Sequence, residues 1–175
     1  AVDDGTVYIG CENHTFYAMD ANTGDKEWTF EADDRVFSPT VVDGTVYVGS
    51  ADYNLYALDA ISGDLQWVFE TNDSVITSPA VADGTVYIGS SDHNLYALDT
   101  TSGDLQWVFE TGDTVYSPTV VDGTVYIGNN DNNLYAVNAT SGDQQWAFEA
   151  DNWVGPPAVA NGTIFVGSGD HKVYA

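Results

Sequence analysis

One motif recurs at a fixed interval through the whole chain. Asn94–Glu110 reads NLYALDTTSGDLQWVFE, near-copies stand at Thr15–Glu31, Asn54–Glu70 and Asn133–Glu149, and a fifth copy begins at Lys172. Trp28, Trp67, Trp107 and Trp146 are 39, 40 and 39 residues apart. A repeat of this length is one supersecondary unit that cannot bury its apolar surface alone, so neighbouring copies must stack. The repeat therefore governs architecture. Chemistry particular to this chain has to be sought where the copies differ.

A single repeat reads as four short strands. Ser78–Ala82 is an apolar strand, and Asp83-Gly84 is a two-residue signal for a tight hairpin turn. Thr85–Gly89 follows as a β-branched and aromatic strand. The turn at Ser91–Asn94, with Asn placed at the left-handed position, leads to Leu95–Leu98, and Thr101–Asp104 turns again at Gly103. Leu105–Glu110 is the fourth strand, with Leu105, Trp107 and Phe109 alternating on one face. No helical periodicity appears.

Four antiparallel strands per repeat predict an all-β fold, a β-propeller of four-stranded blades. A β-sandwich does not demand near-identical units, and a β-solenoid has shorter rungs. The blades are expected at 1–32, 33–71, 72–111, 112–150 and 151–175, as one partial propeller domain. The last has three strands, and the first keeps a stub of its opening strand. About four and a half blades suggest a fragment of a ring of roughly seven or eight. Unpaired strand edges then invite self-association.

The charge is −24, from 27 acidic residues against Lys26, Arg35 and Lys172, and the acids are spread through every turn. Such a surface repels itself in dilute salt. At molar salt the Debye length falls to about 3 Å and the repulsion is screened. The pattern looks like a protein of an extreme halophile. Phosphate binding needs a basic patch, so nucleic acid is not expected as a partner. No run approaches the ~20 apolar residues of a membrane span, and no signal peptide is visible. Cys11 is the only cysteine, so an intrachain disulfide is impossible.

The recurring stretch fits Ala-x-Asp-x-x-Thr/Ser-Gly-x-x-x-Trp. It is met by Ala18, Asp20, Thr23, Gly24 and Trp28; by Ala57, Asp59, Ser62, Gly63 and Trp67; and by Ala97, Asp99, Ser102, Gly103 and Trp107. The fourth copy has Ala136, Asn138, Ser141, Gly142 and Trp146, with Asn in place of Asp. This resembles the tryptophan-docking motif of pyrroloquinoline-quinone-type (PQQ-like) β-propellers. That family includes quinoprotein dehydrogenases and the lipoprotein subunit of the outer-membrane β-barrel assembly machinery. A tryptophan buries roughly 200 Å² but must place its N–H on an acceptor. The small alanine is expected to leave room for a ring from a neighbouring sheet, and the glycine to take the left-handed turn position.

The resemblance implies a quinone and calcium only for the dehydrogenases, which use a vicinal cysteine pair that this chain lacks. No catalytic position of that group can be matched here, and no cofactor is expected in this stretch. Asp20-x-Asn22 with Glu31 imitates part of a calcium loop, but Asp25 stands where the loop needs glycine. His14, His93 and His171 share one turn position in alternate copies, too far apart to hold one metal.

The copies differ most just before each first strand: Arg35-Val36-Phe37, Ser74-Val75-Ile76-Thr77, Thr114-Val115-Tyr116 and Trp153-Val154-Gly155. In propellers this segment lines one mouth of the central channel. Arg35, Phe37, Thr77, Tyr116 and Trp153 are the candidate ligand- or partner-binding residues, since Arg and aromatics dominate binding hot spots. The leading expectation is a non-catalytic binding scaffold at high salt, in an extracytoplasmic or cell-surface setting by family habit. The alternative is a fragment of a PQQ-dependent alcohol or sugar dehydrogenase whose catalytic residues lie elsewhere.

Overall fold

The structure, a computed structural model, describes residues 1–175 and contains strands but no helix. The first sheet runs β1 (Val2–Asp3), β2 (Thr6–Gly10), β3 (Thr15–Asp20) and β4 (Lys26–Glu31). The second runs β5 (Thr40–Val42), β6 (Thr45–Gly49), β7 (Asn54–Asp59) and β8 (Leu65–Glu70). The third is β9 (Ala80–Ala82), β10 (Thr85–Gly89), β11 (Asn94–Asp99) and β12 (Leu105–Glu110). The fourth is β13 (Thr119–Val121), β14 (Thr124–Gly128), β15 (Asn133–Asn138) and β16 (Gln144–Glu149). The fifth has only β17 (Ala158–Ala160), β18 (Thr163–Gly167) and β19 (Val173–Tyr174). Each sheet is an antiparallel meander in chain order, the construction of a propeller blade. The chain divides into two compact units, Ala1–Pro79 with the first two sheets and Ala80–Ala175 with the other three.

Turn chemistry fixes each meander. Between first and second strands, both turn residues have positive φ, as at Asp43 (50°) and Gly44 (75°). That is the turn whose twist suits a two-residue hairpin. In the next turn the left-handed residue is Tyr53 (78°), His93 (75°) or Asn132 (77°), not the asparagine that follows. The asparagine has another task. Asn54 donates its backbone N–H and its side-chain amide to Asp52 Oδ1, each at 3.1 Å, and the Tyr56 hydroxyl donates to Asp52 Oδ2 at 2.8 Å. The same arrangement recurs at Asp92, Asn94 and Tyr96 and at Asp131, Asn133 and Tyr135. Burial, then the adjoining carboxylate, pushes the Tyr56 and Tyr135 hydroxyls far above their ordinary pKa. In the fifth sheet Lys172 replaces the asparagine and bridges Asp151 (2.9 Å) and Asp170 (3.2 Å).

The third turn organises docking between sheets. Asp99 Oδ1 accepts from the backbone N–H groups of Thr101 and Ser102, both at 2.9 Å. Those bonds hold the carboxyl below the usual aspartate range, as their equivalents do for Asp20 and Asp59. Asn138 keeps the acceptor without the charge, taking N–H bonds from Thr140 and Ser141. Trp28 Nε1 reaches across to the second sheet and donates to the Ala60 carbonyl at 3.1 Å, and Trp107 donates likewise to Ala139. A Cβ on Gly63 would lie 2.6 Å from the Trp28 ring, and one on Gly142 2.8 Å from Trp107. These glycines thus supply both a positive φ and the space for the ring.

The motif alanine has a different place from the one its size suggested. Ala18 pairs with Trp28 and Ala97 with Trp107 inside the same sheet. It is the glycine that the incoming ring meets. Around these contacts, Tyr8, Phe16, Val46, Val48 and Leu58 form a core in the first unit, with Trp28 and Phe30 packed on it. In the second unit Tyr87, Leu95, Val125, Ile127 and Val137 do the same beneath Trp107 and Phe109. Trp67 is 9% exposed and packs on Tyr47 at 5.8 Å.

Candidate functional site

The segments that lead into each first strand share one local design. An acidic or amide side chain kinks the chain by accepting the next residue's N–H: Asp34 from Arg35, Asp73 from Ser74, Asp113 from Thr114 and Asn152 from Trp153, at 2.6–2.8 Å. The bond from Thr114 is the main reason that Asp113 titrates below the usual range. The following valine turns inward, and Val36, Val75, Val115 and Val154 are all buried. Val36 bridges to Ser50, Val115 to Asn129 and Val154 to Ser168. Alternation along extended backbone then turns the two flanking residues the other way.

In the first unit those flanking residues include Arg35 and Phe37. The Arg35 guanidinium lies 6.0 Å from the Phe37 ring centre and its Nε 3.9 Å from Asp34 Oδ1, with the side chain 54% exposed. Thr77 does not join them. It is 3% exposed, whereas Ile76, which follows the buried Val75 as Phe37 follows Val36, is 39% exposed. This copy reads Val-Ile-Thr-Ser-Pro where the others read Val-Phe-Ser-Pro, Val-Tyr-Ser-Pro and Val-Gly-Pro-Pro, each one residue shorter. Thr77 is therefore the extra residue behind the 40-residue spacing, and Ile76 is the position that matches.

In the second unit, Tyr116 and Trp153 meet edge to face with ring centres 6.2 Å apart. Tyr116 donates its hydroxyl to Asn130 Oδ1 at 3.1 Å. The Trp153 indole lies over Gly169, where a Cβ would come within 2.3 Å of Nε1, and the Gly169 N–H donates to the Trp153 carbonyl. Although pinned from two sides, Trp153 is 44% exposed. A rigid, half-exposed indole beside an oriented tyrosine loses little side-chain entropy when a partner covers it. Gly169 was not a sequence-level candidate. Its signal was the single Gly-Ser-Gly where other copies have no second glycine.

The histidines occupy left-handed turn positions, φ 68° at His14, 75° at His93 and 70° at His171, and His14 Nε2 faces Asp34 at 3.8 Å. No three His, Cys, Asp or Glu side chains converge to a set able to hold a metal ion. Cys11 is a lone thiol. No helix is long and apolar enough to cross a membrane.

Comparison with known proteins gives a consistent result. Residues 1–175 match the profile of a family described as outer membrane protein assembly factor BamB. No curated protein sequence matches significantly. Among solved structures, the computationally designed Ika8 protein aligns with a TM-score of 0.91 and 15% identity over 99% of this chain and 55% of its own. BamB from Moraxella catarrhalis aligns with a TM-score of 0.68 and 21% identity, over 99% of this chain and 74% of that one. At such identities the structural likeness concerns the fold. The chain spans about 55% of the length of the designed protein.

Proposed function

The chain belongs to the PQQ-like β-propeller family described by the outer membrane protein assembly factor BamB, and from that premise we propose that it is a non-catalytic, protein-binding scaffold acting outside the cytoplasm at high salt. The observation that carries this reading is Trp153, held half-exposed by Gly169 and Tyr116 in the segment where the copies differ most. Pre-positioned aromatic anchors of this kind supply most of the energy in protein interfaces. The family description names an outer membrane protein assembly factor, and because barrels of that membrane are built from strands, the partner class we propose is an extended strand-forming segment. Such segments are rich in alternating apolar side chains, which suit an aromatic platform. The acidic surface, −24 overall, supports a high-salt setting, where screening removes most self-repulsion.

The test is fluorescence polarisation with a labelled strand-forming peptide carrying alternating aromatic residues, at molar potassium chloride. Trp153→Ala and Tyr116→Ala should each weaken binding about tenfold or more, equivalent to about 1.4 kcal/mol, with little change in Tm. Equal affinity for wild type and Trp153→Ala removes the site. Stoichiometric quinone binding with dye reduction by alcohols or sugars, after adding PQQ and calcium, favours the dehydrogenase alternative instead.

A further inference from the structure

Four asparagines open the tripeptide Asn-x-Ser/Thr: Asn13, Asn72, Asn138 and Asn161. That tripeptide is the acceptor for N-linked glycans, which are attached at exposed surface loops. The structure separates the four. Asn13 donates its amide to the Tyr17 hydroxyl at 2.8 Å and accepts from the Thr15 N–H. Asn138 accepts from the Thr140 and Ser141 N–H groups, in the turn that adjoins the Trp107 acceptor at Ala139. The Asn72 tripeptide has its hydroxyl occupied, since Ser74 Oγ donates to the Ala51 carbonyl at 3.3 Å. Its middle residue, Asp73, is held by bonds from Ser74 and Thr71.

Asn161 is different. It opens the tight turn between β17 and β18, with φ 50°, followed by 74° at Gly162. The other copies place Asp4-Gly5-Thr6, Asp43-Gly44-Thr45, Asp83-Gly84-Thr85 and Asp122-Gly123-Thr124 at this tip. Asparagine for aspartate is thus the one change that turns a recurring Asp-Gly-Thr tip into an acceptor tripeptide. The hairpin loses nothing by it, because Asn-Gly and Asp-Gly suit the same turn. Asp43, Asp83, Asp122 and Asn161 are all exposed. Nothing stands within 4 Å of a Cβ placed on Gly44, Gly123 or Gly162. Access is therefore a property of this place in the repeat, shared by every copy. The Asn161 amide is engaged by no hydrogen bond of the chain, so none has to break before it reacts. Exposed tips of small and polar residues are also where modifying enzymes reach a folded chain most readily.

We propose that Asn161 is a glycosylation site, taking an oligosaccharide from a lipid-diphosphate-linked donor. In the transfer, Asn161 Nδ2 attacks the anomeric carbon of the first sugar. A C–N bond forms there as the C–O bond to the phosphate breaks. The lipid diphosphate leaves with the electron pair, and the amide proton passes to a base of the transferase. The inference rests on the extracytoplasmic part of the reading above, because this acceptor tripeptide belongs to secreted chains. The position also spares the candidate binding face. Val154 bridges to Ser168 at one end of the β17–β18 hairpin, and Ala160 pairs with Thr163 at the other. From Trp153 to Asn161 the extended chain spans at most about 26 Å, and the two residues stand at opposite ends of it. A glycan at the tip adds a bulky, solubilising cover without shading the indole.

The test incubates the folded chain with a single-subunit oligosaccharyltransferase and a lipid-diphosphate-linked oligosaccharide, beside a free peptide containing Asn-Gly-Thr. Far-UV circular dichroism confirms the fold of each variant in the assay salt. Wild type should gain the mass of one glycan over 18.8 kDa, and peptide mapping should place it on Asn161. Asn161→Asp, which restores the tip of the other copies, should lose the glycan. Thr163→Ala should lose it too, whereas Thr163→Ser should keep it. A folded wild type that stays unmodified while the free peptide is modified overturns the proposal. So does a glycan on Asn13, Asn72 or Asn138 with Asn161 bare. Enzyme and donor are supplied in the assay, so neither result depends on where the native chain resides. Fractionation of cells that produce it tests that location separately.

Discussion

Tyr87 and Trp107, on the second and fourth strands of one sheet, donate hydrogen bonds to the same oxygen, the Ala139 carbonyl of the next sheet, both at 3.1 Å. Tyr8 and Trp28 converge on Ala60 in the same way, at 3.0 and 3.1 Å. A carbonyl has two lone pairs, and here both are satisfied by side chains from a neighbouring sheet. The two rings also touch each other, so one sheet presents the next with a preassembled aromatic pair rather than a single anchor.

The pair should be cooperative, and the cost of breaking it graded. Trp107→Ala should lower stability by about 3–5 kcal/mol, the range for large aromatic core deletions. Tyr87→Phe removes one donor and leaves the carbonyl partnered, and should cost about 1 kcal/mol. Trp146→Ala should cost less than Trp107→Ala by a wide margin, because 39% of Trp146 is already in water. Denaturant unfolding of the three variants at constant salt gives the comparison. Equal losses for Trp107 and Trp146 would remove the docking role.

Gly63 and Gly24 separate conformational strain from crowding. Both sit at nearly the same positive φ, 76° and 74°, but only Gly63 faces a ring. Replacing either by alanine should cost roughly 1–2 kcal/mol for the left-handed backbone. Gly63→Ala should lose a further 1–3 kcal/mol, approximately, from overpacking against Trp28. The measurement is the difference between the two variants in the monomeric state. A difference near zero means that the ring moves aside freely.

The turn aspartates give stability a dependence on pH whose sign is fixed. Backbone N–H bonds depress the folded-state pKa of Asp99 below that of the unfolded chain. The stabilisation is therefore present above the ordinary aspartate pKa of about 3.9, and is lost as pH falls through the lower folded value. Asn138 shows that the turn forms without the charge. Asp99→Asn should therefore make the acid limb of the stability profile shallower while preserving the fold. An NMR titration of the Asp99 carboxyl carbon reads the shift directly. A midpoint at or above the ordinary value would contradict it.

Salt should act in the direction opposite to its usual effect on surface ion pairs. With −24 formal charges and few cations to pair them, screening removes far more repulsion than attraction. Tm should rise as potassium chloride goes from about 0.1 M into the molar range. A Tm that falls or stays flat across that range would remove the electrostatic argument for a high-salt habitat.

Much of the fold was legible because its signals are periodic. The tryptophan spacing, the Asp-Gly turns and the alternation in Leu105–Glu110 each reappear as strands and hairpins. What escaped was carried by groups without a side-chain signature. The tryptophan acceptor is a backbone carbonyl, so nothing in the letters at Ala60 or Ala139 marks it. The tyrosines of the second strands read as ordinary β-formers, yet Tyr8 and Tyr87 complete the docking pair. The left-handed residue at Tyr53 was hidden behind the more familiar asparagine next to it. At the candidate site, one inserted residue shifted the alignment, and a buried threonine stood in for the exposed Ile76.

The docking bond joins residues only 32 apart in the chain, and that short separation bears on how the protein reaches its native state. Each fastening closes a small loop, whose entropy cost grows only slowly with length. A growing chain can therefore secure one hairpin array as soon as the next has emerged, without waiting for a distant terminus. Contacts this local place the folding rate in the faster part of the β-protein range. They also make the rate depend on neighbouring repeats more than on how many repeats there are.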